Sequence, residues 1–214
     1  MQIKSFVFNP FMENTYVLYD ETNEAIIIDP GCYAPQETDM LKEFISAKDL
    51  KVVKLVNTHC HIDHVLGNYF VKQKYGVPLY MHDSDQETLK SVEVYAPSYG
   101  FQQYKSTSPD HFFNEGDTVE FGNTSLDVIF LPGHAPGHVV LFHKLSKQLI
   151  GGDVLFRESI GRTDLPGGNH DLLIEGIQQK LFKLPEDTTV YPGHGDPTTV
   201  GHEMSYNPFC AVRR

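Results

Sequence analysis

A chain of 214 residues with 40% hydrophobic and 21% charged side chains is long enough for one domain, expected to span residues 1–214, whose core needs no disulfide staples. A net charge of −11, with histidine neutral, is a poor footprint for phosphate backbones, so nucleic acid is not an expected partner. No run approaches the ~18 apolar residues of a membrane span. The opening "MQIKSFVFNP" lacks the basic-then-apolar pattern of a signal peptide. Three cysteines (Cys32, Cys60, Cys210) without C-x-x-C spacing argue against a disulfide framework. The expected location is therefore a reducing cytoplasm, with no membrane partner.

The first elements read as strands: "IKSFVF", "NTYVLYD" and "EAIIID", separated by turn-forming Asn, Pro, Asp and Glu. Residues 37–47 set Met40, Leu41, Phe44 and Ile45 on one helical face. "KVVKLVNTH" reads as a buried strand. "HVLGNYFVKQKYG" then reads as a single helix that Asp63 caps and Gly76 ends. "VPLYMH" is a short strand and residues 84–94 a further helix, whereas "YAPSYGFQQYKSTSPDHFF" has no clean period and reads as a long loop. In the second half "DTVEFG", "TSLDVIFLPGH", "HVVLFHK" and "QLIGGD" are strands. "DLLIEGIQQKLFKL" is an amphipathic helix, and "TTVYPGHG" is one more strand. Strands first and strand–helix alternation after, in each half, predict an α/β chain with two sheets face to face and helices outside.

Five apolar runs lead into a short turn bearing a metal-capable residue: "IIIDPG" (Asp29), "LVNTHCHIDH", "VIFLPGH" (His134), "LIGGD" (Asp153) and "TVYPGHG" (His194). In α/β sheets, sites collect in loops beyond the carboxyl ends of strands. Residues i and i+2 of an extended segment point the same way, so His59 and His61 can grip one ion while Cys60 faces away. The turn into the helix swings Asp63 and His64 toward a second ion. His134 would complete three imidazoles on the first metal, and His194 would join Asp63 and His64 on the second. Asp153, with two carboxylate oxygens, is the natural bridge. Imidazole and carboxylate without thiolate suit Zn²⁺ first, with Fe or Mn²⁺ as alternatives. Two divalent ions, two aspartates and a bridging hydroxide sum to one net positive charge, suited to an anionic substrate.

On these residues the sequence resembles the metallo-β-lactamase-fold hydrolases. "THCHIDH" matches their H-x-H-x-D-H motif, with an ordered His, Asp and His downstream, and the resemblance runs from about residue 10 to 210. "LPGHAPGH", "GGDVLF", "SIGRTDLPGG" and "YPGHGDPTTVGHEMSYNPF" are most similar to glyoxalase II and its short bacterial relatives, which lack the C-terminal helical domain. The resemblance implies an αββα sandwich of two mixed sheets with a dinuclear site held by His59, His61, His134, Asp153, Asp63, His64 and His194. It implies a metal-bridging hydroxide, positioned by Asp63, that cleaves a small anionic thioester, of which S-lactoylglutathione is the leading example. The alternative on the same fold is a mononuclear-iron persulfide dioxygenase. The family pattern makes only the first "PGH" histidine a ligand, which leaves His138 as hydrogen-bonding support. Asp29 reads either as a turn residue or as a carboxylate supporting the ligands. Arg162 reads as an orienter of Asp153, a contact for a substrate anion, or a structural ion pair.

Overall fold

The computed structural model describes Met1–Val212. The chain divides into two compact units, one of residues 1–113 with 120–125, the other of residues 114–119 with 126 onward. Each has its own sheet and its own apolar core.

In the first unit, β1 (Gln2–Phe8), β2 (Glu13–Tyr19) and β3 (Glu24–Ile28) form an antiparallel meander. Helix α1 (Pro35–Ala47) crosses to β4 (Lys51–Val56), which pairs with β3 in parallel, as a helical crossover requires. Helices α2 (Ile62–Val65) and α3 (Asn68–Tyr75) lead to β5 (Leu79–His82), and α4 (Gln86–Tyr95) leads on to β6 (His111–Phe113). These strands make one mixed six-stranded sheet in the order β1-β2-β3-β4-β5-β6. Phe6, Phe8, Val17, Ile27, Leu41, Leu55, Leu79 and Met81 are among the residues of its core.

The second sheet has the order β14-β13-β10-β9-β8-β7. Its strands are β7 (Thr118–Phe121), β8 (Thr124–Phe130), β9 (Val139–His143) and β10 (Gln148–Gly152), then β13 (Thr189–Pro192) and β14 (Thr198–Thr199). A small ribbon, β11 (Leu155–Phe156) with β12 (Ser159–Ile160), precedes α5 (His170–Gln179), and α6 (Val200–Tyr206) follows β14. Strands β8 and β10 both lie antiparallel to β9, and β13 is parallel to β10. Hence β8, β10 and β13 all run the same way and end at the same edge of the sheet. Leu131, Val140, Leu149, Leu173, Ile177, Leu181 and Val190 are in its core. The two mixed sheets agree with the expected fold class.

Several local readings need correction. Strand β4 stops at Val56, so His59 lies in irregular backbone rather than in the strand. The single helix expected over 64–76 is two helices, because Gly67 presses against the turn after β3. Its N–H donates to Pro30 O at 2.7 Å, and a side chain there would run into Cys32 Sγ at 2.6 Å. The N-cap of α2 is His61, with Asp63 inside the first turn, where a negative charge suits the helix dipole. Gly76 does end α3, with φ +65°. The loop after α4 holds a 3₁₀ turn (Ala96–Tyr99) and ends in β6. Expected helix 171–184 stops at Gln179 and continues as a 3₁₀ turn. The ribbon, β14 and α6 carry too few residues for their periodicity to stand out. No helix of the described residues is long and apolar enough to cross a membrane.

Candidate metal centre

In the first unit, β3 and β4 deliver their ends side by side. Asp29 follows β3 with φ +47°, a left-handed conformation that Asp tolerates better than most residues. Its carboxylate is buried and turned toward the next strand end: Oδ1 accepts from the Thr58 N–H at 2.7 Å and Oδ2 from the Thr58 hydroxyl at 2.5 Å. The same Oδ2 lies 3.2 Å from His64 Nδ1. Asp29 thus does more than close a turn, since its carboxylate packs against both Thr58 and His64. His59 Nδ1 in turn meets the Thr58 hydroxyl at 3.1 Å.

These contacts hold both imidazoles by Nδ1 and leave Nε2 as the outward nitrogen. The rings of His59 and His61 stand 4.9 Å apart and nearly perpendicular, and those of His59 and His64 are 4.1 Å apart. Asp63 Oδ2 lies 3.6 Å from His64 Nε2. His59 and His64 are almost wholly enclosed, while the Asp63 side chain retains 14% exposure. Asp29, His59 and His64 also offer one donor atom each within 4.8 Å of one another. The Cys60 side chain turns to Met81, with Sγ to Sδ at 3.7 Å, and burial pushes its thiol up, so it is chemically quiet.

Two buried carboxylates that the sequence pattern does not single out sit around this cluster. Glu13 is fully enclosed, with Oε2 accepting from the Thr15 hydroxyl at 2.9 Å and Oε1 3.9 Å from His64 Nδ1. Burial raises its pKa well above the ordinary carboxylate value, and the nearby Asp29 charge adds to the rise while His64 opposes it. Asp85, also fully enclosed, accepts the Cys60 N–H at 2.7 Å. Neither lies in a segment that the sequence reads as a strand, so no periodicity marks them as interior. The aromatic segment after α4 packs nearby. Phe101 is buried against Tyr33 and Phe11, whereas Tyr99 is 59% exposed. The Tyr95 phenol is pushed up to about 12, chiefly by burial and then by the charge of Asp63.

In the second unit, the turns that follow β8, β10 and β13 carry His134, Asp153 and His194. One Asp153 oxygen, Oδ2, lies 3.5 Å from His134 Nε2 and 3.5 Å from His194 Nε2. The carboxylate thus sits between the two imidazoles. His134 Nδ1 is held at 2.7 Å by the main-chain carbonyl of Arg162, which again turns Nε2 outward. The Arg162 guanidinium makes a bidentate pair with Asp164 at 2.7 and 2.8 Å, and that pair lowers the Asp164 pKa to about 2. The residue supports His134 through its backbone, a contact no side-chain reading could supply. Gly161 makes this approach feasible, since a Cβ there would overlap Asp153 O and come within 3.0 Å of His134 Nδ1. His138 is fully buried behind Asp153, with Nε2 accepting the Asp153 N–H at 3.0 Å. The Phe156 ring meets His194 edge-on at 6.3 Å, and the His194 side chain is 27% exposed.

The donor chemistry fits a divalent metal ion. His59, His64 and His134 each have Nδ1 fixed by an oxygen, the orientation that metal-ligating imidazoles show. Carboxylates accompany them in both units, and all three cysteines are free and buried.

Comparison with known proteins gives the same direction. The family model described as the metallo-beta-lactamase superfamily matches residues 8–194. The hydroxyacylglutathione hydrolase GloC of Haemophilus influenzae is 35% identical over 211 residues, covering 98% of each chain. The crystal structure of the BLEG-1 B3 metallo-beta-lactamase is similar with a TM-score of 0.87 at 33% identity, covering 99% of this chain and 100% of that one. The crystal structure of TTHA1623 in a di-iron-bound form is similar with a TM-score of 0.86 at 32% identity, covering 96% and 99%.

Proposed function

This chain belongs to the metallo-beta-lactamase superfamily, and on that premise we propose that it is a dinuclear metal-dependent hydrolase of glyoxalase II type, cleaving a glutathione thioester. In this reading His59, His61 and His134 would hold one ion, Asp63, His64 and His194 would hold the other, and the Asp153 carboxylate would serve both. The observation that carries it is the set of imidazoles fixed by Nδ1 beside carboxylates in both units, with no thiolate ligand. The likeness to GloC supports the substrate class, because a hydroxyacylglutathione is a small anionic thioester.

When bound, the ions supply Lewis acidity for the carbonyl and bring the pKa of a water from ~15.7 toward ~7. The chain's own residues do the rest. Asp63, the least enclosed carboxylate of its unit's cluster, accepts a hydrogen bond from the attacking water and so orients it. Asp63 and Asp153 offset part of the metal charge and leave a net positive site for an anionic substrate. The leaving thiolate has a conjugate acid of pKa ~8.5, so it departs without a dedicated acid. Asp29 and the Arg162 carbonyl keep the ligating rings from turning. Zn²⁺ is the expected ion, with Fe or Mn²⁺ able to serve the same ligands.

The test is an anaerobic assay of the zinc-loaded protein with S-lactoylglutathione. The proposal expects cleavage at the same rate with and without oxygen. Silence of the zinc form, together with oxygen uptake by the iron form given glutathione persulfide, would replace it with the dioxygenase reading.

A further inference from the structure

We propose that Asp85 is a positioning residue for the His59/His61 ion, acting through the peptide N–H of Cys60; the inference rests on the dinuclear reading above. Asp85 closes the 3₁₀ turn Asp83–Asp85 that follows β5, a strand parallel to β4. It is thus an acid at one more strand end of the first sheet. Its position is the N-cap of α4, where an aspartate ordinarily accepts a hydrogen bond from the helix's own first turn. Here the side chain makes no such cap. Oδ2 turns away from the helix and accepts the Cys60 N–H at 2.7 Å, while the Thr88 hydroxyl lies 3.4 Å from Oδ1.

A carboxylate with no exposed surface is costly to bury unless its hydrogen bonds are good ones. This one accepts the N–H of the His59–Cys60 peptide, one of the two peptides that join His59 to His61. Residues 58–61 lie between β4 and α2, outside any strand ladder, so the neighbouring sheet does not fix that peptide plane. The direction of the Cys60 N–H sets the backbone on which His59 and His61 are carried, whose rings stand 4.9 Å apart at 87°. With the Cys60 side chain anchored at Met81, the peptide is held from two sides.

The experiment removes zinc from the full-length, zinc-loaded protein with a competing chelator and counts the ions released. Wild type, Asp85→Ala, Asp85→Asn and Thr88→Ala are compared, each checked for wild-type circular dichroism. The expected result is two release steps in wild type and in Thr88→Ala. In Asp85→Ala one step moves to roughly tenfold to a hundredfold weaker binding, the range typical when an outer partner of a metal ligand is lost. Asp85→Asn keeps an acceptor oxygen without the charge and falls between them. Cobalt(II) at the weakened site should change its visible absorption in Asp85→Ala. A purely architectural Asp85 would lower the melting temperature and leave both release steps and the cobalt spectrum unchanged, which would overturn the inference. Should Asp85→Ala not fold, Asp85→Asn with wild-type release would overturn it equally. If wild type holds one ion, the two-metal reading fails on its own, and the same comparison is read on that ion.

Discussion

The two units hold their candidate ligands by different means. In the first, four ligands crowd into residues 59–64, and buried side-chain carboxylates brace them: Asp29 at His64 and at Thr58, Glu13 beside His64, Asp85 under Cys60. In the second, His134, Asp153 and His194 come from three separate strands, and the bracing is by the Arg162 carbonyl and the ring of His138. A compact motif takes carboxyl braces because its short irregular backbone has no ladder to define it. Ligands set at the ends of strands that run the same way inherit their placement from the sheet, and main-chain or neutral groups suffice.

The largest effect should come from Asp153, whose Oδ2 lies 3.5 Å from both His134 Nε2 and His194 Nε2. Asp153→Ala should lower metal affinity and turnover by more than the ~10–100-fold typical of losing an outer partner. Elemental analysis and kcat/KM would check it, and a variant with full metal content would break the comparison at its base. Next, His134→Ala should lose at least one ion while His138→Ala keeps both, because the His138 Nε2 is occupied by the Asp153 N–H. Equal metal loss in the two would mean that the wrong histidine is assigned. Asp29→Asn sharpens the contrast in the first unit. It weakens a charged brace on His64 and should cost roughly tenfold to a hundredfold in metal affinity. Arg162→Ala, in contrast, should leave metal content intact, since the carbonyl that holds His134 survives the substitution.

The smallest effect is a pH dependence in the metal-free protein. Glu13 has a raised pKa in the folded state, so the folded form keeps a proton the unfolded form has already lost. By linkage its contribution to stability is fully present below the unfolded value near 4.5. It is lost as pH rises toward the folded pKa. Glu13→Gln should flatten that decline in a series of denaturant midpoints. A steeper decline in the variant would contradict the assignment.

Much of this arrangement is legible in the sequence. The i, i+2 spacing of His59 and His61 and the glycine-led turns at His134, Asp153 and His194 each reduce to local chemistry at strand ends, and so does Asp29. What stays hidden depends on approach between distant segments. Glu13 and Asp85 are ordinary acids by sequence, and only burial against the ligand loop reveals them. The break between α2 and α3 follows from Gly67 meeting Pro30 and Cys32, a contact between segments far apart in the chain. Arg162 invites a side-chain role, yet the atom that matters at His134 is one every residue carries.

The central claim is the proposed dinuclear metal site. Its most direct test is the metal content of the protein after saturation with zinc and gel filtration, for wild type, His59→Ala and His194→Ala. The account predicts two ions per chain in wild type, with the second lost or weakened when either unit is altered. One ion that resists addition of a second, or two ions that respond only to changes in their own unit, would contradict it.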